Sequence, residues 1–532
     1  MKHAAAALLL ITAVAGSNFS ADMKDCSPAA FARLKLTGTT VRSAARVAAG
    51  AFTPPGGRGS FSDVTGFCRV QASTTSGKGS RIDFEVWIPG KWNGKIVATG
   101  NPGYSNLPSY RDMAYALSEG YAASGGDTGH QTPTPDDLLW GVGHPERILD
   151  WGTRSIHTIA GPAQRIVQAL TGASPKRAYY YGCSTGGHQG YAEIQRYPND
   201  FDGVIAGAPG NNRVRLNVGF LWQFLANHRR GDPEHPIIPA LKLPVVTNAI
   251  VAACDAKDGV VDSVVEDPRS CGFDPASLQC KAADEPTCLT EEQVSALRKM
   301  YAGATNPRTH AQLYPGWPKS SEALTTLPTG APGAGWHLYW GTTEPARVNF
   351  WRYWVFNNPR WDPWSFDFDR GVTHADAKVG GLIDQVSPDI TAFRRHGGKA
   401  IVYQGWQDPV VNAIDTIAYY EKVRGRVGSQ QAADSFFRLF LVPGMAHCGN
   451  GPGTVNFGNQ SSPSPIIDAR HDLLAALDAW VEHDTAPERI VASRVVNGAT
   501  VRTRPLCPYP RKAVYVGTGS TDDAESFVCR QP

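Results

Sequence analysis

The chain lacks three features that would assign it to common functional classes. Its net charge is only +3, from 51 basic and 48 acidic residues in 532, so there is no electrostatic case for nucleic-acid binding. It has no Cys-x-x-Cys pair, which excludes thioredoxin-like chemistry and zinc ribbons. Beyond the N-terminus, no run approaches the roughly 18 apolar residues that a membrane-spanning helix needs. We therefore expect a protein that does not bind nucleic acid and has no membrane span.

The N-terminus has the pattern of a secretory signal. Lys2 precedes an apolar run from Ala4 to Ala15, which is too short to span a bilayer and ends in small residues. We expect a signal peptide over residues 1–15, with cleavage after Ser17 or Ala21 as alternatives. The ten cysteines are an even number, and behind such a signal they indicate disulfides. The protein is predicted to be secreted or periplasmic.

The middle of the chain differs in composition from its two ends. Strand and helix patterns alternate over residues 22–210 and again over 389–532, which predicts an α/β fold with a doubly wound, mostly parallel sheet. Residues 211–388 interrupt this alternation, and they hold eight of the fourteen tryptophans and four cysteines. We interpret 22–210 and 389–532 as two parts of one core, and 211–388 as an inserted lid domain. An amphipathic helix is predicted at 467–482.

The segment Gly182-Cys183-Ser184-Thr185-Gly186 follows a short apolar strand and precedes a glycine-rich helix start. Strand, Gly-x-Ser-x-Gly and helix form the nucleophile elbow of α/β hydrolases, in which a sharp turn exposes the serine hydroxyl. The flanking glycines permit backbone angles that a Cβ would hinder. Ser184 is therefore the candidate nucleophile.

The other members of a catalytic triad follow from chain order, which in this fold is Ser, acid, His. His447 lies in a glycine-containing loop after a predicted strand, whereas His471 and His483 fall on or beside the C-terminal helix. Asp408 follows the strand 400–403, at the sheet edge where catalytic groups collect. Asp415, at the start of the next helix, is the alternative acid.

Two cysteines adjoin the proposed catalytic pair, Cys183 before Ser184 and Cys448 after His447. If the serine and histidine meet, these cysteines are neighbours, and a disulfide between them would hold the pair together. An oxyanion hole needs backbone N–H donors aimed at the developing charge. We expect one from Thr185 and the second from Gly103, in the loop 100–103.

The segment 254–264 packs Asp255, Asp258 and Asp262 around Gly259. Oxygen-rich clusters around a turn suit Ca²⁺, which takes six to eight oxygen ligands. The spacing departs from the EF-hand pattern. On the residues alone, the segment is either a calcium loop or an Asp-rich surface turn.

With Gly-Cys-Ser-Thr-Gly-Gly, a later Asp and His-Cys in this order, the chain resembles the tannase and feruloyl esterase family of α/β hydrolases from about Cys26 to its C-terminus. The resemblance implies Ser184, Asp408 and His447 as the triad. It also implies a structural calcium in the lid, with Val260 and Val264 adding main-chain carbonyls to the three aspartates. The implied disulfides are Cys183–Cys448, Cys26–Cys68, Cys254–Cys271, Cys280–Cys288 and Cys507–Cys529.

One departure from the family concerns the oxyanion loop. Many members have a run of glycines there, whereas this chain has Gly100-Asn101-Pro102-Gly103. Proline cannot donate an N–H, so fewer residues of this loop can supply the second oxyanion donor, and its identity stays open.

The family's substrates are small esters of aromatic acids: ferulate on plant polysaccharide, gallate on tannins, and terephthalate monoesters. Aromatic walls suit an aryl group, and we take Trp336, Trp340 and Trp351 as pocket candidates; the alternative is that the lid tryptophans form its core. We expect a feruloyl esterase-like serine esterase, with tannase and terephthalate monoester hydrolase as alternatives. A serine peptidase of the same fold and a non-catalytic binder of plant polysaccharide are the more distant interpretations.

Overall fold

The computed structural model describes residues 25–32, 34–54, 56, 60–323, 335–460 and 462–531. The predicted signal peptide lies outside these residues. Among them, no helix is both long enough and apolar enough to cross a bilayer.

A nine-stranded sheet forms the centre of the molecule, in the order β1-β2-β3-β5-β4-β6-β7-β8-β9. The first three strands pair antiparallel with their neighbours, and β3 pairs antiparallel with β5. All remaining pairs are parallel. The strands are β1 Thr40–Val47, β2 Phe67–Thr74, β3 Ile82–Pro89, β4 Lys95–Thr99, β5 Ala122–Gly126, β6 Arg177–Cys183, β7 Gly203–Gly207, β8 Lys399–Gly405 and β9 Phe437–Val442.

Helices cover both faces of this sheet, as the alternating pattern predicted. The longer helices are α1 Tyr110–Ser118, α2 Ser155–Thr171, α3 Thr185–Arg196, α4 Arg213–Asn227, α5 Leu243–Cys254, α6 Glu291–Ala302, α7 Ala413–Val427 and α8 Leu473–His483. One apolar cluster joins α1 and α8 to Tyr179 and Tyr181 of β6. A second cluster joins α2, α3 and α7 to Tyr180 of the same strand. Alternate residues of β6 therefore enter opposite cores, as expected for a buried strand.

Short α-helices and two-stranded ribbons lie between and after these elements. The short helices are Pro145–Leu149, Trp336–Trp340, Arg370–Ala375, Gly381–Ile383, Thr391–His396 and Gln430–Asp434. The two-stranded ribbons are Gly50–Phe52 with Phe61–Val64, His228–Arg229 with Asp232–Pro236, Ala304–Thr305 with Gln312–Tyr314, Ile490–Val496 with Ala499–Leu506, and Lys512–Tyr515 with Phe527–Arg530.

Between β7 and β8, no described residue joins the central sheet. This interruption coincides with the predicted lid, residues 211–388, whose exact limits remain a prediction.

The predicted C-terminal helix begins later than expected, at Leu473 rather than near residue 467. Its N-cap is Asp472, whose carboxylate accepts the backbone N–H groups of Leu474 and Ala475. This cap satisfies the free donors of the first turn and so sets the start of the helix.

All ten cysteines are paired, in the five disulfides that the family resemblance implied. Four of them join residues at most 42 positions apart. The bond between Cys183 and Cys448 instead spans 265 positions. It links the end of β6 to the loop after β9, which are the two segments that carry Ser184 and His447.

Candidate active site

Ser184 occupies a sharp turn between β6 and α3. Its backbone has φ 64° and ψ −123°, a conformation that costs a non-glycine residue on the order of 1–3 kcal/mol. The turn also needs close backbone approach, since a Cβ on Gly100 would lie 2.5 Å from the Cα of Gly186. The elbow is therefore held in a strained form by the packing around it, with Ser184 partly exposed at the end of the strand.

Ser184, His447 and Asp408 form one hydrogen-bonded chain. The Ser184 hydroxyl donates to Nε2 of His447 over 2.8 Å, and Nδ1 of His447 donates to Oδ2 of Asp408 over 2.8 Å. We assign the ring proton to Nδ1 because an ionised carboxylate can only accept. The three side chains thus have the spacing that a serine nucleophile, its base and an orienting acid require.

Asp408 is fully buried and its two oxygens are saturated with donors. Oδ1 accepts the backbone N–H groups of Val410 and Val411 at 2.8 and 3.0 Å. Oδ2 accepts from Nε2 of Gln404 at 3.1 Å besides His447. These bonds compensate the burial of the carboxylate and fix its orientation. Gln404 was not predicted as a site residue, because its only sequence signal is its position at the end of β8.

The alternative acid and histidines lie elsewhere. Asp415, in the first turn of α7, accepts a hydrogen bond from Asn212, and burial raises its pKa to about 6. His471 bonds to Asp468 ahead of α8, and His483 is exposed at the end of that helix. None of the three contacts Ser184 through a hydrogen bond among the described residues.

Two contacts of Cys448 anchor the loop that follows His447. Its sulfur is bonded to Cys183, with the two Cα atoms 6.0 Å apart. Its carbonyl accepts from Nδ2 of Asn459 over 2.9 Å. Cys448 itself has a φ of 61°, which is unfavourable for a residue with a Cβ. The disulfide and Asn459 thus restrain a strained turn next to the histidine; Asn459 had no distinctive sequence signal.

Hydrogen bonding in the loop 100–103 separates its possible donors. The N–H of Gly100 donates to the Tyr181 carbonyl, and that of Asn101 donates to Oε1 of Gln189. Pro102 has no N–H. The Gly103 N–H donates to no described residue, and neither does that of Thr185 at the start of α3. Of the N–H groups in this loop, only that of Gly103 has no acceptor among the described residues, and its role in the oxyanion hole stays a prediction.

The three tryptophans taken as pocket candidates are packed inside the structure. Trp336, Trp340 and Trp351 are at most 1% exposed, and Trp351 lies against Phe350 and Phe366. Such burial leaves no side-chain face for a ligand, so the sequence interpretation is corrected in favour of a core role. The physical reason is that each aromatic side chain buries a large apolar area, so such residues dominate the packing of a small inserted domain.

The aspartate-rich segment 254–264 borders a small cavity, whose lining also includes Glu266, Arg502 and Arg504. Asp258, Val260, Asp262 and Val264 line it, and its volume of about 20 Å³ would hold roughly one water-sized species. Asp255 is not among the lining residues, and its oxygens accept backbone N–H groups from residues 262–264. Among the described residues, no group of three His, Cys, Asp or Glu side chains is arranged to hold a metal.

Comparisons with known proteins agree with this fold and identify the family. The family model "Tannase and feruloyl esterase" matches residues 63–530. An uncharacterised esterase of Xanthomonas campestris is 39% identical over 526 residues, covering 93% of this chain and 90% of that protein. A probable feruloyl esterase B-2 of Aspergillus terreus is 33% identical, covering 87% and 86%.

Solved structures of the same group are similar throughout. Feruloyl esterase B from Aspergillus oryzae superposes with a TM-score of 0.86 at 28% identity, covering 94% of this chain and 98% of that one. Tannin acyl hydrolase from Aspergillus niger, at 19% identity, shares the fold with a TM-score of 0.76 and 95% coverage of both chains. The chain therefore belongs to the tannase and feruloyl esterase family of carboxylic ester hydrolases.

Proposed function

We propose that this chain is a secreted serine esterase for esters of aromatic, phenolic carboxylic acids, with feruloyl esters as its first substrate class. The observation that carries the mechanism is the continuous hydrogen-bonded chain from Ser184 through His447 to Asp408. The feruloyl class is supported by the relatives that carry that name. The substrate is a small ester, free or attached to plant polysaccharide. Secretion is supported by the five disulfides, which persist in oxidising compartments.

In acylation, Ser184 Oγ attacks the ester carbonyl carbon while its proton passes to Nε2 of His447. Asp408 keeps Nδ1 protonated and stabilises the imidazolium cation. The tetrahedral intermediate carries its negative oxygen toward the N–H groups of Thr185 and Gly103. Each such donor contributes on the order of a hundredfold to a thousandfold in kcat.

Collapse of the intermediate expels the alcohol, which takes the proton from His447 and leaves the aromatic acyl group on Ser184. In deacylation, His447 removes a proton from water, and the hydroxide adds to the acyl carbon. A second oxyanion forms and collapses, which returns the proton to Ser184 and releases the aromatic acid. Both halves use the same donors, so no further group is needed.

We further propose a structural calcium ion at the cavity lined by Asp258 and Asp262. The donor chemistry fits, since carboxylate and carbonyl oxygens are the ligands that Ca²⁺ prefers. Burial raises the pKa of Asp258, and the charges of Asp262 and Asp255 raise it further. A divalent cation would relieve this repulsion. In the structure Asp262 is paired with Arg504 and Arg502, so these arginines partly balance the cluster.

The test of the esterase proposal compares Ser184→Ala with the unaltered protein on methyl ferulate, methyl gallate and a terephthalate monoester. We expect hydrolysis to fall by several orders of magnitude in the variant, with an unchanged circular dichroism spectrum. The preferred ester in the panel separates feruloyl esterase from tannase and from monoester hydrolase. Binding of plant polysaccharide without hydrolysis of any ester would instead favour the non-catalytic interpretation.

A further inference from the structure

Arg213, the first residue of α4, is a buried cation without an acidic partner. It is 3% exposed, and its Nη2 donates to Thr185 Oγ1 over 3.2 Å. Its Nε has no hydrogen-bond partner among the described residues, and none of them forms an ion pair with it. Burial lowers its pKa to about 10, which leaves it charged at neutral pH. A buried, unpaired charge is costly to the fold, so this position calls for a functional explanation.

The guanidinium of Arg213 contacts one residue of the proposed oxyanion hole and the tryptophan that supports the other. On one side it donates to the side chain of Thr185. On the other it lies over the ring of Trp151, 5.4 Å from the centroid. The indole N–H of Trp151 donates to the Gly103 carbonyl over 3.1 Å, so Arg213 touches Thr185 directly and is linked to Gly103 through Trp151.

A second cation, Arg347, lies near Arg213. Arg347 is close enough to lower the pKa of Arg213, and it lies over the ring of Tyr104. Tyr104 follows Gly103 in the chain and stacks on Trp151 at 4.8 Å. The carboxylate of Asp384 acts in the opposite direction and raises the pKa of Arg213, while its Oδ1 accepts the backbone N–H of Val214. Fixed positive charge at a site where negative charge develops lowers the barrier without reorganisation.

We propose that Arg213 is a positioning residue of the oxyanion hole, which holds Thr185 and the Trp151–Gly103 contact in place and puts a permanent positive charge beside them. This inference rests on the proposed function. It assigns Arg213 a task that becomes important only in the transition state, since the ground-state ester carries no negative charge there. The expected signature is a loss in kcat with little change in KM.

The experiment compares Arg213→Met, which removes the charge at similar length, with Arg213→Lys, which keeps it. Arg215→Met is the matched control, because Arg215 lies on the same helix but pairs with Asp376. We expect Arg213→Met to lower kcat on methyl ferulate by about tenfold to a hundredfold, with KM within about twofold. Arg213→Lys should recover part of the loss, and Arg215→Met should keep the full rate.

Two further measurements distinguish this role from a structural one. Phenylboronic acid forms a bond from boron to Ser184 Oγ, the serine proton moves to His447, and boron becomes a tetrahedral anion. Its inhibition constant should rise in Arg213→Met by the same factor as kcat falls. The melting temperature should stay constant or rise, because replacing an unpaired buried charge with an apolar side chain is neutral or stabilising.

Several outcomes would overturn the inference. Unchanged kcat in Arg213→Met would do so, as would a kcat loss accompanied by unchanged boronic acid affinity and a lower melting temperature. An effect confined to the KM of esters that also carry a free carboxylate, such as the terephthalate monoester, would mean that Arg213 binds a substrate anion instead. Full activity in Ser184→Ala would refute the proposed function itself, so the two failures are distinguishable.

Discussion

Removing the disulfide between Cys183 and Cys448 should damage catalysis far more than the loss of a remote disulfide of comparable stabilising effect. The double variant Cys183→Ala, Cys448→Ala opens a loop of 265 residues, which the chain-entropy model relates to about 5 to 6 kcal/mol of unfolding free energy. That figure is an upper bound, because the turns at Ser184 and Cys448 both hold positive φ angles. Relaxation of each strained turn would return on the order of 1–3 kcal/mol.

The catalytic effect comes from geometry rather than from global stability. The histidine loop is anchored beside Ser184 by this bond and by the Asn459 amide. A displacement of about 1 Å in a reacting group can lower the rate by a hundredfold. We therefore expect kcat on methyl ferulate to fall by about that factor, with KM little changed because the 2.8 Å contact between Ser184 and His447 serves the chemical step.

The control is the double variant Cys26→Ala, Cys68→Ala, which opens a loop of 42 residues and should lose about 4 kcal/mol by the same relation. It should keep its kcat at temperatures well below its melting point. Steady-state kinetics and thermal unfolding of both variants provide the comparison. The reasoning is refuted if the active-site variant keeps its kcat within threefold, or if both variants lose kcat equally.

The remaining predictions concern the acid, the metal and one buried carboxyl. Asp408→Asn should lower kcat by roughly 10⁴ through the wrong histidine tautomer, whereas near-normal turnover would move the acid to another residue, with Asp415 tested next. Chelation should clearly lower the melting temperature but change the initial rate little, because calcium that binds only the folded protein stabilises it by mass action. An unchanged melting temperature, together with no calcium in elemental analysis, would refute the proposed site. Burial raises the pKa of Asp112 to about 6, above its unfolded value, so its contribution to stability is full below about pH 4 and is lost as the pH rises through 6. The free energy of unfolding of Asp112→Asn, relative to that of the unaltered protein, should therefore increase by on the order of 2–3 kcal/mol from pH 4 to pH 7. The same difference between the two proteins at both pH values would contradict this assignment.

Features that depend on adjacent residues were readable from the sequence. The elbow around Ser184 needs a strand, two glycines and a helix start within a few positions, so its backbone geometry is encoded locally. Cys183 and Cys448 gave a second local signal, because each is covalently next to a proposed catalytic residue. The alternation of strands and helices likewise indicated the parallel sheet, since it reflects burial on both faces.

Features that depend on contacts between distant residues required the tertiary structure. Nothing near Arg213 in the chain indicates that its guanidinium reaches Thr185 and Trp151, because these residues are distant in sequence and meet only in the folded chain. The tryptophans of the lid show the same limit: Trp351 could have lined a pocket or filled a core, and only its neighbours in space decide which. Sequence records side-chain chemistry and local backbone preference, whereas burial and long-range pairing are set by how the whole chain packs.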